Sequence, residues 1–217
     1  LYPALTPASL RLLSLSRKTG EGSSCEARTG EGGYNPLMSK FYTRKGDDGT
    51  TGTLGKIRLP KYHPRIEAIG TLDETTASLG LARALSHSPE VDAILTKVQR
   101  DIYILMAEVA AMPENAEKFR SIGASHVEWL EEKTDLLSKK VEMPKEFILP
   151  GETQGDGALS VARTVTRRAE RRVAELLDNE ELENKELLRY LNRLSSLCFV
   201  LELVENQFEG KEVKMVK

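Results

Sequence analysis

The strongest constraint on this chain is apolar residues recurring at three- and four-residue spacing in five separate stretches, several of them bounded by proline. Ile66, Ile69, Leu72, Thr76, Leu79 and Ala82 follow this period after Pro64. Proline suits a first helical position, because the N–H it lacks would have no helical partner there. A second stripe, Ile94, Val98, Ile102, Leu105 and Val109, follows Pro89 and stops at Pro113. A third runs from about Ser125 to Pro144 with Val127, Leu130, Thr134, Leu137 and Val141 inward. A fourth helix is predicted over about Thr153 to Leu177. A fifth covers about Lys185 to Gln207, with Leu187, Leu191, Leu194, Cys198, Leu201 and Val204 or Glu205 along one side. Helices of roughly 17 to 25 residues with short connectors predict an all-α fold, a five-helix up-and-down bundle. No strand pattern or internal repeat stands out, and Phe147-Ile148-Leu149-Pro150-Gly151 reads as a short apolar connector.

Two segments precede the first helix. Residues 41–63 hold Gly46, Gly49, Gly52 and Gly55 among Thr and Asp without helical period. They predict a Gly-rich loop, with an extended piece at Phe41–Thr43. Residues 1–37 carry many Ser and Gly and little apolar periodicity after Leu13. They read as a disordered extension outside the fold, or as an organellar presequence, since Ser9–Lys18 is rich in Leu, Ser and Arg and has no acid. Residues 38–217 are then one domain, expected in the cytoplasm, or in the mitochondrial matrix if the first segment is a presequence.

The 217 residues carry a net charge of -2, which argues against wholesale wrapping of nucleic acid. No apolar run reaches the length of a membrane span. Cys25 and Cys198 lie far apart and outside any CxxC pair, so neither a disulfide framework nor a thiolate zinc site is supported, and the usage fits a reducing compartment. No metal ligand set is assigned. The 3 histidines are scattered, and no Glu-x-x-His falls on a helix, which disfavours a ferritin-like di-iron site.

Two features carry chemistry. The loop Thr43-Arg44-Lys45-Gly46-Asp47-Asp48-Gly49-Thr50-Thr51-Gly52 is neither a P-loop nor GxGxxG. It is either an ordinary surface loop or a phosphate cradle, with backbone N–H groups exposed by glycine and cations from Arg44, Lys45, Lys56 and Lys61. On the fourth helix, Arg163, Arg167, Glu170 and Arg171 fall on one face, opposite Ala162, Val165, Ala169, Val173 and Leu176. This is either a solvated face laced by pairs to Glu170 or a polyphosphate site. Arg163, Arg167, Arg168, Arg171 and Arg172 fall within ten residues and repel one another unless an anion is near. Asn192 either meets a ligand or bridges helices. Asp73 by itself reads as a surface acid.

In combination these blocks resemble the trimeric ATP:cob(I)alamin adenosyltransferases of the propanediol-utilisation type. The similarity runs from about Phe41 to Phe208. It is carried by Tyr42-Thr43-Arg44-Lys45-Gly46-Asp47-Asp48-Gly49, by Gly70-Thr71-Leu72-Asp73-Glu74, by Phe147-Ile148-Leu149-Pro150-Gly151, and by Arg167-Arg168-Ala169-Glu170-Arg171 with Leu191-Asn192-Arg193-Leu194-Ser195.

The resemblance implies a homotrimer with active sites between subunits. It implies transfer of the 5′-deoxyadenosyl group of ATP to cobalamin, with magnesium. Thr43, Arg44, Lys45, Gly46, Thr51, Gly52 and Lys61 would contact ATP from the loop, and Arg167, Arg168, Ala169, Glu170, Arg171 and Asn192 from the helices. Asp73 would pair with Arg163 of a neighbouring subunit. Phe147 would press on the lower face of the corrinoid. A reductase and an adenosylcobalamin-dependent mutase are expected partners. The chain departs from the family in having Thr75-Thr76-Ala77 after Asp73-Glu74 and Ser196 where the family commonly has an acid. A non-catalytic carrier or sensor of ATP or corrinoid, and a helical protein whose arginine stripe binds an acidic partner or RNA, are the competing classes.

Overall fold

The computed structural model describes residues 44–216, so Phe41–Thr43, residues 1–37, Cys25 and the site candidate Thr43 lie outside the described residues. In chain order the elements are β1 (Thr50–Gly52), β2 (Arg58–Pro60), α1 (Pro64–Leu85) and α2 (Pro89–Ala110). A 3-10 turn (Pro113–Asn115) leads into the short α3 (Ala116–Phe119). Then follow α4 (Ala124–Ser138), β3 (Ile148–Leu149), α5 (Gln154–Asp178), α6 (Glu186–Phe208) and β4 (Lys214–Met215). Five long helices are present as expected, but α4 stops at Ser138, short of Pro144, and leaves Val141 half-buried beyond its end. Pro64 and Pro89 open α1 and α2, and Thr153 caps α5 by accepting the Asp156 N–H at 3.0 Å.

The helices form one core. α1 packs most extensively on α5, α5 on α6, α2 on α1, and α4 on α6. Leu72, Leu79, Val98, Ile102, Leu105, Leu130, Leu137, Leu176, Leu187, Leu191, Leu194 and Leu201 are fully buried in it. Each such side chain contributes about 1.5–3 kcal/mol relative to exposure. Small residues let α1 and α5 approach: Ala68, Thr71 and Thr75 on one, Ala162, Thr166 and Ala169 on the other. The buried threonine hydroxyls cost little, because Thr71, Thr75 and Thr166 donate to carbonyls four residues back. No helix among the described residues is long and apolar enough to cross a membrane.

Two small antiparallel sheets are additions to the expected all-helical pattern. β1 pairs with β2, turning part of the Gly-rich loop into a hairpin. β3 pairs with β4, so the Phe147–Gly151 connector is held by the end of the chain. A strand of two or three residues has no period to read, and the β3 partner lies more than sixty residues away.

Candidate active site

The hairpin is organised by Arg58. Its guanidinium donates to Thr50 Oγ1 at 2.8 Å, to the Thr50 carbonyl at 3.0 Å and to the Lys45 carbonyl at 2.6 Å. Asp48 accepts the Thr50 N–H at 2.9 Å and its hydroxyl at 2.8 Å. These two bonds hold the Asp48 carboxyl below its ordinary range. Lys61 returns to the turn: its N–H donates to the Gly49 carbonyl at 2.9 Å, and its Nζ lies 3.3 Å from where a Cβ on Gly46 would sit. Gly46, Thr51, Gly52 and Lys61 are thus gathered on one hairpin, with Arg44 and Lys45 exposed at its start. Nothing in the spacing of the loop marks Arg58 as its organiser.

The hairpin docks on the end of α2. Leu54 N–H donates to the Ala110 carbonyl at 2.9 Å, and the Leu54 carbonyl accepts from Met112 N–H at 3.3 Å and Asn115 Nδ2 at 3.1 Å. A Cβ on Gly55 would lie 2.5 Å from Met112 Cγ, so only glycine permits this approach. Arg65, 2% exposed at the start of α1, braces the same stretch. Its Nη1 donates to the carbonyls of Val109 at 2.8 Å and Ala111 at 3.1 Å, on either side of the carbonyl that receives Leu54. Its Nη2 donates to the Glu181 carbonyl, and its Nε lies 3.5 Å from the Glu181 carboxylate.

The second part of the site is the outer face of α5. Ala162, Val165, Ala169, Val173 and Leu176 face the core as the periodicity requires. Ala169, expected among the nucleotide contacts, is fully buried, so its methyl packs helices and faces no ligand. The arginines separate into two groups. Arg168 pairs with Glu74 of α1, Arg172 with Glu67 and Glu175, and Arg163 with Glu202 of α6 at 2.9 Å. Arg167 and Arg171 are exposed and make no hydrogen bond or ion pair among the described residues. Glu170 is not their counter-ion: it accepts from Asn192 Nδ2 at 2.8 Å. Asn192 Oδ1 in turn accepts from Arg193 Nη1 at 2.6 Å, so Asn192 bridges α5 and α6. The absent acid at Ser196 leaves an exposed hydroxyl over the Asn192 carbonyl at 3.5 Å.

Asp73 lies on the exposed face of α1 and makes no ion pair among the described residues. Within the chain its expected partner Arg163 is held by Glu202 instead. Phe147 is 89% exposed, yet its backbone is fixed, because its carbonyl accepts the Val216 N–H at 2.8 Å.

Comparison with known proteins identifies the family. The family model "Cobalamin adenosyltransferase" matches residues 41–205. The chain is 38% identical over 167 residues to the corrinoid adenosyltransferase PduO of Salmonella typhimurium, covering 76% of this chain and 49% of that protein. It therefore spans about half the length of that relative. It is 38% identical to the corrinoid adenosyltransferase of Bacillus subtilis over 79% of this chain and 89% of that one. Among solved structures it is similar to a phenylalanine-to-alanine variant of the PduO-type ATP:corrinoid adenosyltransferase of Lactobacillus reuteri complexed with cobalamin and ATP. That match has 36% identity and a TM-score of 0.75, covering 82% of this chain and 99% of that one. With the matched segment running from the hairpin through α1, α2, α4 and α5 and into α6, the chain belongs to the cobalamin adenosyltransferase family.

Proposed function

We propose that this protein transfers the 5′-deoxyadenosyl group of ATP to the cobalt of cob(I)alamin, forming adenosylcobalamin and releasing tripolyphosphate. The observation that carries the reading is the pair Arg167 and Arg171: two exposed guanidiniums one turn apart with no counter-charge among the described residues, beside the paired Arg163 and Arg168. Such a face favours a polyanion, and arginine forks suit phosphate oxygens.

The hairpin rests on the end of α2, whereas the arginine face is flanked by α1 and α6. A homotrimer in which the hairpin of one subunit closes over the arginine face of the next unites the two, with Asp73 reaching Arg163 of the neighbour. In this arrangement Arg44, Lys45, Gly46, Thr51, Gly52 and Lys61 hold the nucleotide from above, and Arg167, Arg168, Glu170, Arg171 and Asn192 bind it from the helices. The α1–α5 ion pairs, Arg168 with Glu74 above all, are exposed and so yield readily to a phosphate.

The reaction needs no protein nucleophile. The electron pair of Co(I) forms the cobalt–carbon bond at C5′, the C5′–O bond breaks, and its electrons pass to the leaving phosphate oxygen as cobalt is formally oxidised from I to III. Charge therefore grows on tripolyphosphate, where fixed cations lower the barrier. One preorganised donor is worth about 3 kcal/mol, roughly a hundredfold in rate. Magnesium arriving with the nucleotide would neutralise phosphate charge, taking most of its ligands from phosphate and water. Phe147, apolar and projecting, packs under the corrinoid and keeps a lower axial donor off the cobalt, which eases reduction of Co(II).

The test is the visible spectrum of reduced cobalamin mixed with the protein, magnesium and ATP. A light-sensitive cobalt–carbon product, absent without ATP, is the expected outcome. Binding of ATP and cobalamin without turnover rejects catalysis and leaves a carrier.

A further inference from the structure

The chemistry of Arg163 extends inward, to a carboxylate that no sequence signal singled out. Glu202 is 0% exposed on the inner side of α6, and its Oε1 accepts Arg163 Nε at 2.9 Å. Arg163 Nη2 donates to Ser160 Oγ at 3.1 Å. Both contacts fall on the side-on edge of the guanidinium. Because the group is planar, fixing Nε and Nη2 fixes the direction of every remaining N–H. Nη1 makes no hydrogen bond among the described residues, and the side chain as a whole is 29% exposed, so the end-on edge remains for another partner.

Glu202 carries a buried charge where an apolar side chain would cost less to bury. Its second oxygen, Oε2, is buried without a hydrogen-bond partner. Beside it Asp156, also buried, accepts from Gly151 N–H, Glu152 N–H and Asn206 Nδ2, each at 3.0 Å. The charged and titratable groups facing the Glu202 carboxyl are therefore Arg163 and Asp156 from α5 and Cys198 from its own helix. A buried ion pair is commonly no more stabilising than an apolar pair of the same volume, so its use lies more in geometry than in stability.

We propose that Glu202 is a positioning residue for Arg163: it locks the guanidinium plane so that the free end-on edge meets Asp73 of a neighbouring subunit. The inference rests on the interface reading under the proposed function, and adds to it the group that aims the arginine.

Burial pushes the Glu202 carboxyl up to about 7, against the pull of Arg163 and with help from Asp156. Cys198 is pushed up to about 12 and stays a thiol throughout. The lock is thus strongest with the carboxylate charged, above neutrality, and weakens as pH falls through about 7. The same raised acidity has the opposite sign for the single chain. A carboxyl that binds its proton more tightly when folded adds stability below its unfolded range, and that stability is lost as pH rises through 7. Acidification from pH 8 to pH 6 should therefore loosen the assembly while the protomer itself becomes no less stable.

The experiment measures the protein concentration at which the oligomer of the full chain dissociates, by analytical ultracentrifugation, for wild type, Glu202→Gln, Asp73→Asn and the double variant. At pH 8 each single variant is expected to raise that concentration about tenfold, and the double variant no further than the worse single. At pH 6 wild type and Glu202→Gln should converge. Additive effects in the double variant, or a constant ratio at both pH values, overturn the proposal. So does a wild type whose dissociation is the same at pH 6 and pH 8, a result that needs no variant to fold. Adenosylation is assayed in parallel: a wild type that assembles as expected yet forms no adenosylcobalamin rejects the proposed reaction and leaves the role of Glu202 to be read from assembly alone.

Discussion

The hairpin and the arginine face are built in opposite ways. On α5 the functional side chains stand on a helix whose other face is sealed in the core by Ala162, Ala169, Val173 and Leu176. Their spacing is set by the helix itself, and disturbing one leaves the rest in place. The hairpin has β1 and β2 of three residues each and no core of its own. Its shape comes from Arg58 and Asp48, and its position from Leu54 and Gly55 against Ala110–Asn115. Under the proposed function, polyphosphate charge would be met by a rigid array on one side and by an adjustable cover on the other. Substitutions on α5 should act on the chemistry locally, whereas those at the hairpin's foot should act on nucleotide binding from a distance.

The largest expected effect is on the rigid side. Arg167→Ala removes a cation that has no other work among the described residues, so the fold should be unaffected. A loss of about a hundredfold in kcat/KM for ATP is expected, equivalent to about 3 kcal/mol. Steady-state kinetics beside a thermal melt check it. An unchanged rate would remove Arg167 from the phosphate site and with it half of the contrast.

On the adjustable side, Gly55→Ala places a methyl 2.5 Å from Met112 Cγ and 2.8 Å from Glu114 Oε1. The overpacking costs about 1–3 kcal/mol, and the hairpin can relieve it by lifting from α2. The expected result is a KM for ATP raised about tenfold with kcat less affected, and a melting temperature close to wild type. A fall in melting temperature with KM unchanged would show that the foot of the hairpin belongs to the core and not to the cover.

How far each region could be read from sequence follows the same division. The helices were legible because buried Leu, Ile and Val repeat with the helical period and because Pro64, Pro89 and Thr153 mark their starts. The face carrying Arg167 and Arg171 followed from that period. Contacts between distant segments were not legible. Glu205 looked like one of two options for the inner stripe of α6. The structure buries it fully, and it accepts hydrogen bonds from Ser86, His87 and Ser88 at the α1–α2 turn. Glu202 and Arg65 gave no signal, since the partners that justify burying a charge lie 39 and more residues away. Periodicity reports which side of a helix is inside. It does not report which charges are tolerated there.

Phe147 tests whether a third region behaves like the hairpin or like α5. Its ring is exposed, while the β3–β4 pairing and the Lys214–Glu152 ion pair at 3.0 Å hold its backbone. Phe147→Ala should leave ATP binding and stability unchanged and slow adenosylation from Co(II) several-fold if, as proposed, the ring acts on the corrinoid alone. Equal rates from Co(II) in variant and wild type would reject the axial role. A changed affinity for ATP would instead join this strand pair to the nucleotide site.

The smallest effect sharpens the comparison at the hairpin's own turn. Asp48 is held below its ordinary value of 3.8, first by the Thr50 N–H and then by the Thr50 hydroxyl, with Arg58 adding to both. A carboxyl whose acidity is increased by folding lends order above its unfolded value and loses it as pH falls through the folded one. The turn should therefore stay ordered from neutrality down to about pH 4. Below that the amide of Thr50 should lose protection from hydrogen exchange, beyond the intrinsic pH dependence, while amides in the core of α5 keep theirs. Asp48→Asn should abolish this step without moving the melting temperature, because the group is exposed and linked to nothing in the core. Protection at Thr50 that persists to pH 2 would mean that Arg58 alone shapes the turn, and that the cover is stiffer than its short strands suggest.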